Sequence, residues 1–168
     1  MTAEAYEARA KELFLEGYNC AQAVFLAFAL EKLGRDEAAR LASAFGGGMA
    51  GMRNTCGAVS GMAMAYGLLR GYSDPKAKTE KRAEYEAVRD MAEQFAQENG
   101  SIICRELLQL GKDAGYQPPA ERTEQYYKKR PCAQLCACAA GILARYLNSH
   151  PDGTARPETK SPTFGAET

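Results

Sequence analysis

Residues 45–61 read FGGGMAGMRNTCGAVSG, and this stretch divides the chain into its helical parts. The glycine cluster at 46–51 interrupts every helical period, so it predicts a loop. After this loop, Asn54 or Thr55 is a suitable N-cap for a helix that begins at Cys56. That helix is apolar on almost every side, which is typical of a helix buried in a core. We therefore expect the fold to be built around a central helix that starts with a cysteine.

Helical patterning continues outward from this stretch in both directions. Apolar residues recur at helical spacing between glycines and prolines, and no useful length of sequence alternates with the period of a strand. The predicted helices span roughly residues 3–16, 20–33, 36–45, 56–69, 75–98, 102–110 and 131–147, with a short helix following Pro118-Pro119. The sequence predicts an all-α fold, a single compact bundle of about six to seven helices. This domain covers residues 1–147, and 148–168 form a polar C-terminal tail without a core of its own.

Composition and charge exclude several classes of protein. A length of 168 residues is that of one domain. The 21 basic residues balance 21 acidic ones, so we expect no nucleic-acid partner. The longest apolar run, Ala23–Leu30, is too short to cross a bilayer, so no membrane insertion is expected. The charged first residues lack the apolar core of a signal peptide, which predicts a cytoplasmic protein.

The oligomeric state is not specified by the sequence. A homodimer is compatible with amphipathic helices and a net charge of zero, and no feature of the sequence requires one.

Cysteine is the unusual component of the chain, which has six cysteines, one histidine and no tryptophan. In a cytoplasmic protein this content indicates reactive or metal-binding thiols rather than structural disulfides. The single histidine, His150, lies in the polar tail, where we expect it to be solvated. The usual catalytic base and the usual nitrogen ligand of zinc are then both missing. We therefore expect any chemistry to depend on sulfur.

Four cysteines share one local context, the first turn of a predicted helix. They are Cys20, Cys56, Cys104 and Cys132. Unpaired N–H groups and the positive end of the helix dipole stabilise an anion there, so a lowered thiol pKa is expected. Cations nearby in sequence would lower the pKa further, namely Arg53, Arg105 and the run 128–130. Consecutive members of this set are 36, 48 and 28 residues apart, so the tertiary fold must assemble any shared site.

Each of these cysteines has an alternative interpretation as a small hydrophobic residue of the core. For Cys136 and Cys138, which lie inside the last predicted helix, the core interpretation is favoured. Cys136 follows Cys132 by one helical turn, so it could still serve as a spare or resolving thiol.

Two glycines accompany the central cysteine. Gly57 and Gly61 are four residues apart and share one helical face beside Cys56. Because glycine inside a helix costs about 1 kcal/mol relative to alanine, such a pair usually has a packing reason. The pair would let another backbone approach the thiol, and we assign both glycines as candidate cofactor-binding residues. The alternative is a helix crossing of small residues without any chemistry.

The elements described so far resemble a family labelled C_GCAxxG_C_C, whose members are described as redox-active. The resemblance is carried by CGAVSG at 56–61, GYNCAQAV at 17–24 and the glycine-rich segment 45–48. Cys104 matches the third cysteine of the family and Cys132 the fourth. Together these elements cover roughly residues 10 to 147. The resemblance implies a small helical domain with a redox role, and it implies no particular substrate.

Three hypotheses of function remain open at this point. In the first, pairs among Cys20, Cys56, Cys104 and Cys132 cycle between dithiol and disulfide with an unknown redox partner protein, as in a thiol-dependent oxidoreductase or electron-transfer protein. In the second, the same four cysteines bind zinc or an iron–sulfur cluster, [2Fe–2S] or [4Fe–4S]. In the third, the cysteines only pack the core, no cofactor is present, and the charged helix 75–98 serves as an interaction face.

Overall fold

The computed structural model describes residues 1–111, 116 and 118–151, and it confirms the all-α prediction. Within this part of the chain there are eight α-helices and no β-strand. The helices are α1 (Ala3–Leu15), α2 (Cys20–Leu33), α3 (Arg35–Ala42), α4 (Gly57–Arg70), α5 (Lys78–Asn99), α6 (Cys104–Leu107), α7 (Glu124–Lys129) and α8 (Cys132–Ser149). Most of the predicted tail, from residue 152 on, lies outside the described residues.

Helix α2 occupies the centre of the bundle. It packs against α1, α3, α4 and α8, and residues 21 and 23–29 are buried. Helices α1 and α8 also pack against each other, while α5 contacts α4 and α8 from outside. None of the helices in the described ranges is both long and apolar enough to cross a membrane. The two most apolar predicted helices, α2 and α4, are thus neighbours in the core.

Several helix boundaries differ from the predicted ones. Cys56, rather than Asn54 or Thr55, occupies the N-cap position of α4. Helix α6 is shorter than the helix predicted at 102–110. It begins two residues later than predicted, because Ile103 is extended and pairs with Thr55, just before α4. The third helix begins one residue early, and its predicted end at 43–45 is a 3₁₀ turn.

Helix α2 has a strong start because Asn19 and Gln22 form a capping box. The Asn19 side chain accepts a hydrogen bond from the Gln22 N–H, and the Gln22 side chain accepts one from the Asn19 N–H, each 3.0 Å long. The same two side chains also donate to Ser43 and Ala39 carbonyl oxygens at 2.9 Å. Capping therefore fixes the start of α2 and attaches the third helix and its 3₁₀ turn to it.

The contact between α2 and α4 depends on the two glycines singled out in the sequence. A Cβ atom on Gly61 would lie 2.5 Å from the Ala21 carbonyl oxygen, and one on Gly57 would lie 3.1 Å from Cys20 Cβ. Both glycines are buried. The missing side chains thus allow the first turn of α4 to lie directly against the first turn of α2.

We predict that Gly61→Ala destabilises the protein by about 1–3 kcal/mol, because the added methyl group overlaps the Ala21 carbonyl. Gly67→Ala in the same helix is the matched control. Its Cβ would meet only the flexible end of Glu84 at 3.2 Å, so helix propensity should leave stability unchanged or raise it by up to about 1 kcal/mol. Urea denaturation of the two variants measures the difference. Equal effects at both positions would contradict the close-contact role of Gly61.

Candidate functional site: a cluster of five thiols

The four cysteines predicted at helix starts do begin helices. Cys20, Cys104 and Cys132 are the first residues of α2, α6 and α8, and Cys56 is the N-cap of α4. Of these four helices only α2 has a side-chain cap, which Asn19 provides as predicted. Their mutual arrangement depends on how the helix starts meet in space.

The starts of α2 and α8 bring three thiols close together. The Cys20 thiol lies near enough to the thiols of Cys132 and Cys136 for each of them to shift its pKa. Cys136 Sγ also lies 3.7 Å from the Cys20 carbonyl oxygen and donates to it. Cys20 is partly exposed, whereas Cys132 and Cys136 are buried.

A short backbone pairing places Cys56 next to Cys104. Thr55 and Ile103 form an antiparallel bridge. On either side of it, the Cys56 N–H donates to the Ile102 carbonyl and the Cys104 N–H donates to the Asn54 carbonyl, both at 2.7 Å. The thiol of Cys56 is close enough to Cys104, Cys132, Cys20 and Cys136 to interact electrostatically with each. Five cysteines therefore surround one region of the core.

Cys136 is fully buried in the hydrophobic core, as expected, and it also lies beside Cys20, so it belongs to this cluster. The spacing of four residues from Cys132 places the two thiols on the same helical face, and this was the available signal. Cys138 lies on a different face of α8. Its sulfur accepts a hydrogen bond from Asn99 Nδ2 and its thiol donates to Glu98 Oε2, both at 3.2 Å. Cys138 therefore takes no part in the cluster.

The glycine-rich loop packs against Cys104 and against Asn19, the residue before Cys20. A Cβ on Gly48 would lie 2.7 Å from Cys104 Cβ, and one on Gly46 would lie 2.5 Å from Asn19 Cγ, beside Cys20. Arg53 ends this loop in the left-handed region, with φ of 61°. A non-glycine residue in this conformation is strained, so the surrounding contacts must hold it there. Its guanidinium Nη1 lies 4.0 Å from Cys104 Sγ and donates to it.

The expectation that the helix starts lower the thiol pKa values is wrong, because the net shift of each pKa in the cluster is upwards. Burial raises the pKa of Cys56 to about 12, although the N–H groups of Ala58 and Val59 at the start of α4 oppose the shift. The pKa of Cys132 is raised by its hydrogen bond with Cys20 and by burial. Burial likewise raises the pKa of Cys104 and Cys136. Removal from water and the proximity of other thiols outweigh the helix N-termini.

Opposing effects also determine the pKa of Cys20. The hydrogen bond with Cys132 lowers its pKa, but the interaction with Cys136 and burial raise it well above the ordinary value. Cys138, outside the cluster, has its pKa raised to about 11, mainly by burial.

Three arginines provide positive charge beside the thiols. Arg53 and Arg130 oppose the rise in the pKa of Cys104, and Arg130 and Arg122 oppose that of Cys132. Arg53 and the 128–130 run were identified from sequence, whereas Arg122 was not, because it is distant in sequence from every cysteine. The side chain of Arg105, the remaining predicted cation, is exposed.

A metal or cluster site is not formed by the thiols as they are placed. Thiolates have the donor chemistry that zinc and iron–sulfur clusters require. However, within 1–111, 116 and 118–151 no three or more Cys, His, Asp or Glu side chains are spaced to hold a metal ion. All six cysteines are free thiols. The residues therefore do not fit such a group in this arrangement.

Comparison with known proteins agrees with the resemblance seen in the sequence. The family model described as "Putative redox-active protein (C_GCAxxG_C_C)" matches residues 18–146, which is most of the chain. The chain belongs to this family. No curated protein and no solved structure matches it. Membership in the family supports a redox role, and the matched range contains all five clustered thiols.

The raised pKa values predict how stability depends on pH. The Cys56 thiol stays protonated in the native protein up to about pH 12, whereas in the unfolded chain it ionises near pH 8.5. Above about pH 8.5 the native state therefore binds more protons than the unfolded chain. The Cys56 thiol contributes its full stabilisation below that pH, and the contribution falls as the pH rises towards 12. We expect Cys56 to account for roughly 1–2 kcal/mol of lost stability between pH 7 and pH 10.

Urea denaturation of Cys56→Ser against the wild type measures this loss, since serine does not titrate in the range. The variant should show a shallower decline of unfolding free energy between pH 7 and pH 10. Ser60→Ala, one turn further along α4, retains the thiol and should keep the wild-type slope. Identical slopes for Cys56→Ser and the wild type would contradict the raised pKa.

Proposed function

We propose that this protein is a thiol–disulfide redox protein in which Cys20 and Cys132 form the exchanging pair. The observation that carries the proposal is the proximity of these two thiols, which begin the packed helices α2 and α8. The family description agrees with a redox role. The co-reactant is a disulfide of a partner protein, and the exchange takes place through a mixed disulfide.

Exposure favours Cys20 as the attacking thiol. Cys20 is partly exposed, whereas Cys56, Cys104, Cys132 and Cys136 are buried. The hydrogen bond with Cys132 lowers the pKa of Cys20, so it favours the Cys20 thiolate over the Cys132 thiolate. A raised pKa keeps the Cys20 thiol protonated in the free protein, which limits non-specific oxidation.

The exchange proceeds in two balanced steps. In the first, the Cys20 thiolate attacks one sulfur of the partner disulfide, and the other partner sulfur leaves as a thiolate and takes up a proton. In the second, the Cys132 thiolate attacks the Cys20 sulfur, and the remaining partner sulfur leaves and is protonated. Two protein thiols lose two electrons and two protons in total, and the partner disulfide becomes two thiols.

Oxidation followed by peptide mapping tests the pair. Cys132, Cys136 and Cys138 would share one tryptic peptide, so the double variant Cys136→Ser/Cys138→Ser is used to leave Cys132 as its single thiol. After treatment with a small linear disulfide such as oxidised glutathione, mass spectrometry should find the peptide of Cys20 linked to that of Cys132. Adding Cys132→Ser to this variant should abolish the link, and Cys138→Ser alone should leave Cys20 oxidisable.

Two outcomes would contradict the proposal. In the first, Cys20 remains fully alkylatable after oxidation. In the second, Cys20 of the Cys138→Ser protein pairs with Cys136, as read from fragment ions of the linked peptides. Protein purified without oxygen distinguishes the metal alternative. Two results together would favour a bound metal: stoichiometric zinc or iron in this protein, and a Cys20 thiol that is protected from alkylation until a chelator is added.

A further inference from the structure

We propose that a cavity between the glycine-rich loop and the segment 122–130 binds a small molecule with at least two acidic groups, either carboxylates or phosphates. The cavity has a volume of about 440 Å³. The residues on which the argument depends are Asn19, Gly47, Arg53, Arg122, Tyr126 and Arg130, and together they define what we call the arginine cavity. No cysteine is among its described lining residues, so the inference does not depend on thiol exchange.

The arginine cavity concentrates positive charge, and none of the acidic side chains that the structure describes neutralises it. No described carboxylate forms an ion pair with Arg53, Arg122 or Arg130. None of the described residues that line the cavity is acidic. Three guanidinium groups on one cavity of a protein with zero net charge are a local feature, not a general property of its surface. Their charge matches a ligand with two or more negative charges.

Two of the arginines have buried donors without a partner. Arg53 is 8% exposed, and its Nε has no hydrogen-bond partner in the described structure. Arg122 Nη1 is likewise buried and unpartnered. Buried polar groups are almost always hydrogen-bonded, and a buried charge is particularly costly to leave unpaired. An acidic ligand in the cavity would place negative charge beside both arginines, whose charge the described residues leave unpaired.

Contacts with aromatic rings hold two of the guanidinium groups in place before any ligand binds. The Arg122 guanidinium lies 4.8 Å from the ring centre of Phe14 and 4.9 Å from that of Tyr126, and its Nη2 donates to the Tyr18 carbonyl at 3.3 Å. Arg130 lies 4.7 Å from the same Tyr126 ring. A ligand that binds such preorganised groups loses little affinity to side-chain ordering.

The size of the cavity limits the ligand to a small molecule. Its volume lies in the range of roughly 300–1,000 Å³ that is typical of small-molecule sites, and Tyr126 adds an aromatic surface to the charged one. A single carboxylate could neutralise one arginine at most, so a ligand with one acidic group should bind much more weakly than one with two.

Isothermal titration calorimetry with three probes tests the inference. Citrate carries carboxylates, pyrophosphate carries phosphates, and acetate has a single acidic group. We expect citrate or pyrophosphate to bind at least about tenfold more tightly than acetate, and whichever of the two binds more tightly identifies the acid chemistry. Arg122→Gln and Arg130→Gln should each weaken that binding by about tenfold or more. Circular dichroism confirms that each variant is folded, and either folded variant is sufficient for the test.

Arg105→Gln is the matched control, because it removes an exposed arginine that does not line the cavity. Its affinity should stay within about twofold of the wild type. The inference is overturned if neither citrate nor pyrophosphate binds at about 10 mM, or if acetate binds as tightly as both. It is also overturned if Arg105→Gln weakens binding as much as the cavity variants do. Because the readout is binding by the reduced protein, none of these results bears on the Cys20–Cys132 exchange.

Discussion

The first turns of α2 and α4 can touch because Gly61 has no side chain. The Ala21 carbonyl oxygen occupies the space that a Cβ on Gly61 would need, and Cys20 and Gly57 meet one turn earlier. This contact brings the start of α2, with Cys20, beside the start of α4, with Cys56. The start of α8 then adds Cys132 and Cys136. The thiol cluster therefore depends first on a helix crossing and only second on the chemistry of sulfur.

The chemical character of the cluster follows from a competition between burial and local charge. Helix N-termini and arginines favour thiolates, as the N–H groups of Ala58 and Val59 do at Cys56. Loss of water and the proximity of like thiols act in the opposite direction and prevail at all five positions. The result is a set of protonated thiols with cations close by.

The features of the fold that depend on local signals could be predicted from the sequence. Caps and apolar patterns predicted the all-α fold, the burial of α2 and α4, and the four cysteines at helix starts. It did not predict the bridge between Thr55 and Ile103, because no strand-like pattern accompanies two paired residues. It also missed Arg122, whose place beside the thiols is set by tertiary packing on Phe14 and Tyr126. The predicted direction of the thiol pKa shifts was wrong, because the burial that raises them depends on the whole fold and not on local sequence.

The central claim is that five thiols from four helix starts share one region, and sulfur positions measure it most directly. Anomalous scattering from a crystal of the reduced protein locates every Sγ atom without reference to the rest of the chain. The account predicts that the Sγ atoms of Cys132 and Cys136 each lie close to that of Cys20, that Cys56 and Cys104 lie beside them, and that Cys138 lies apart near Glu98. Sulfur atoms of Cys20 and Cys132 separated by intervening core side chains would contradict it.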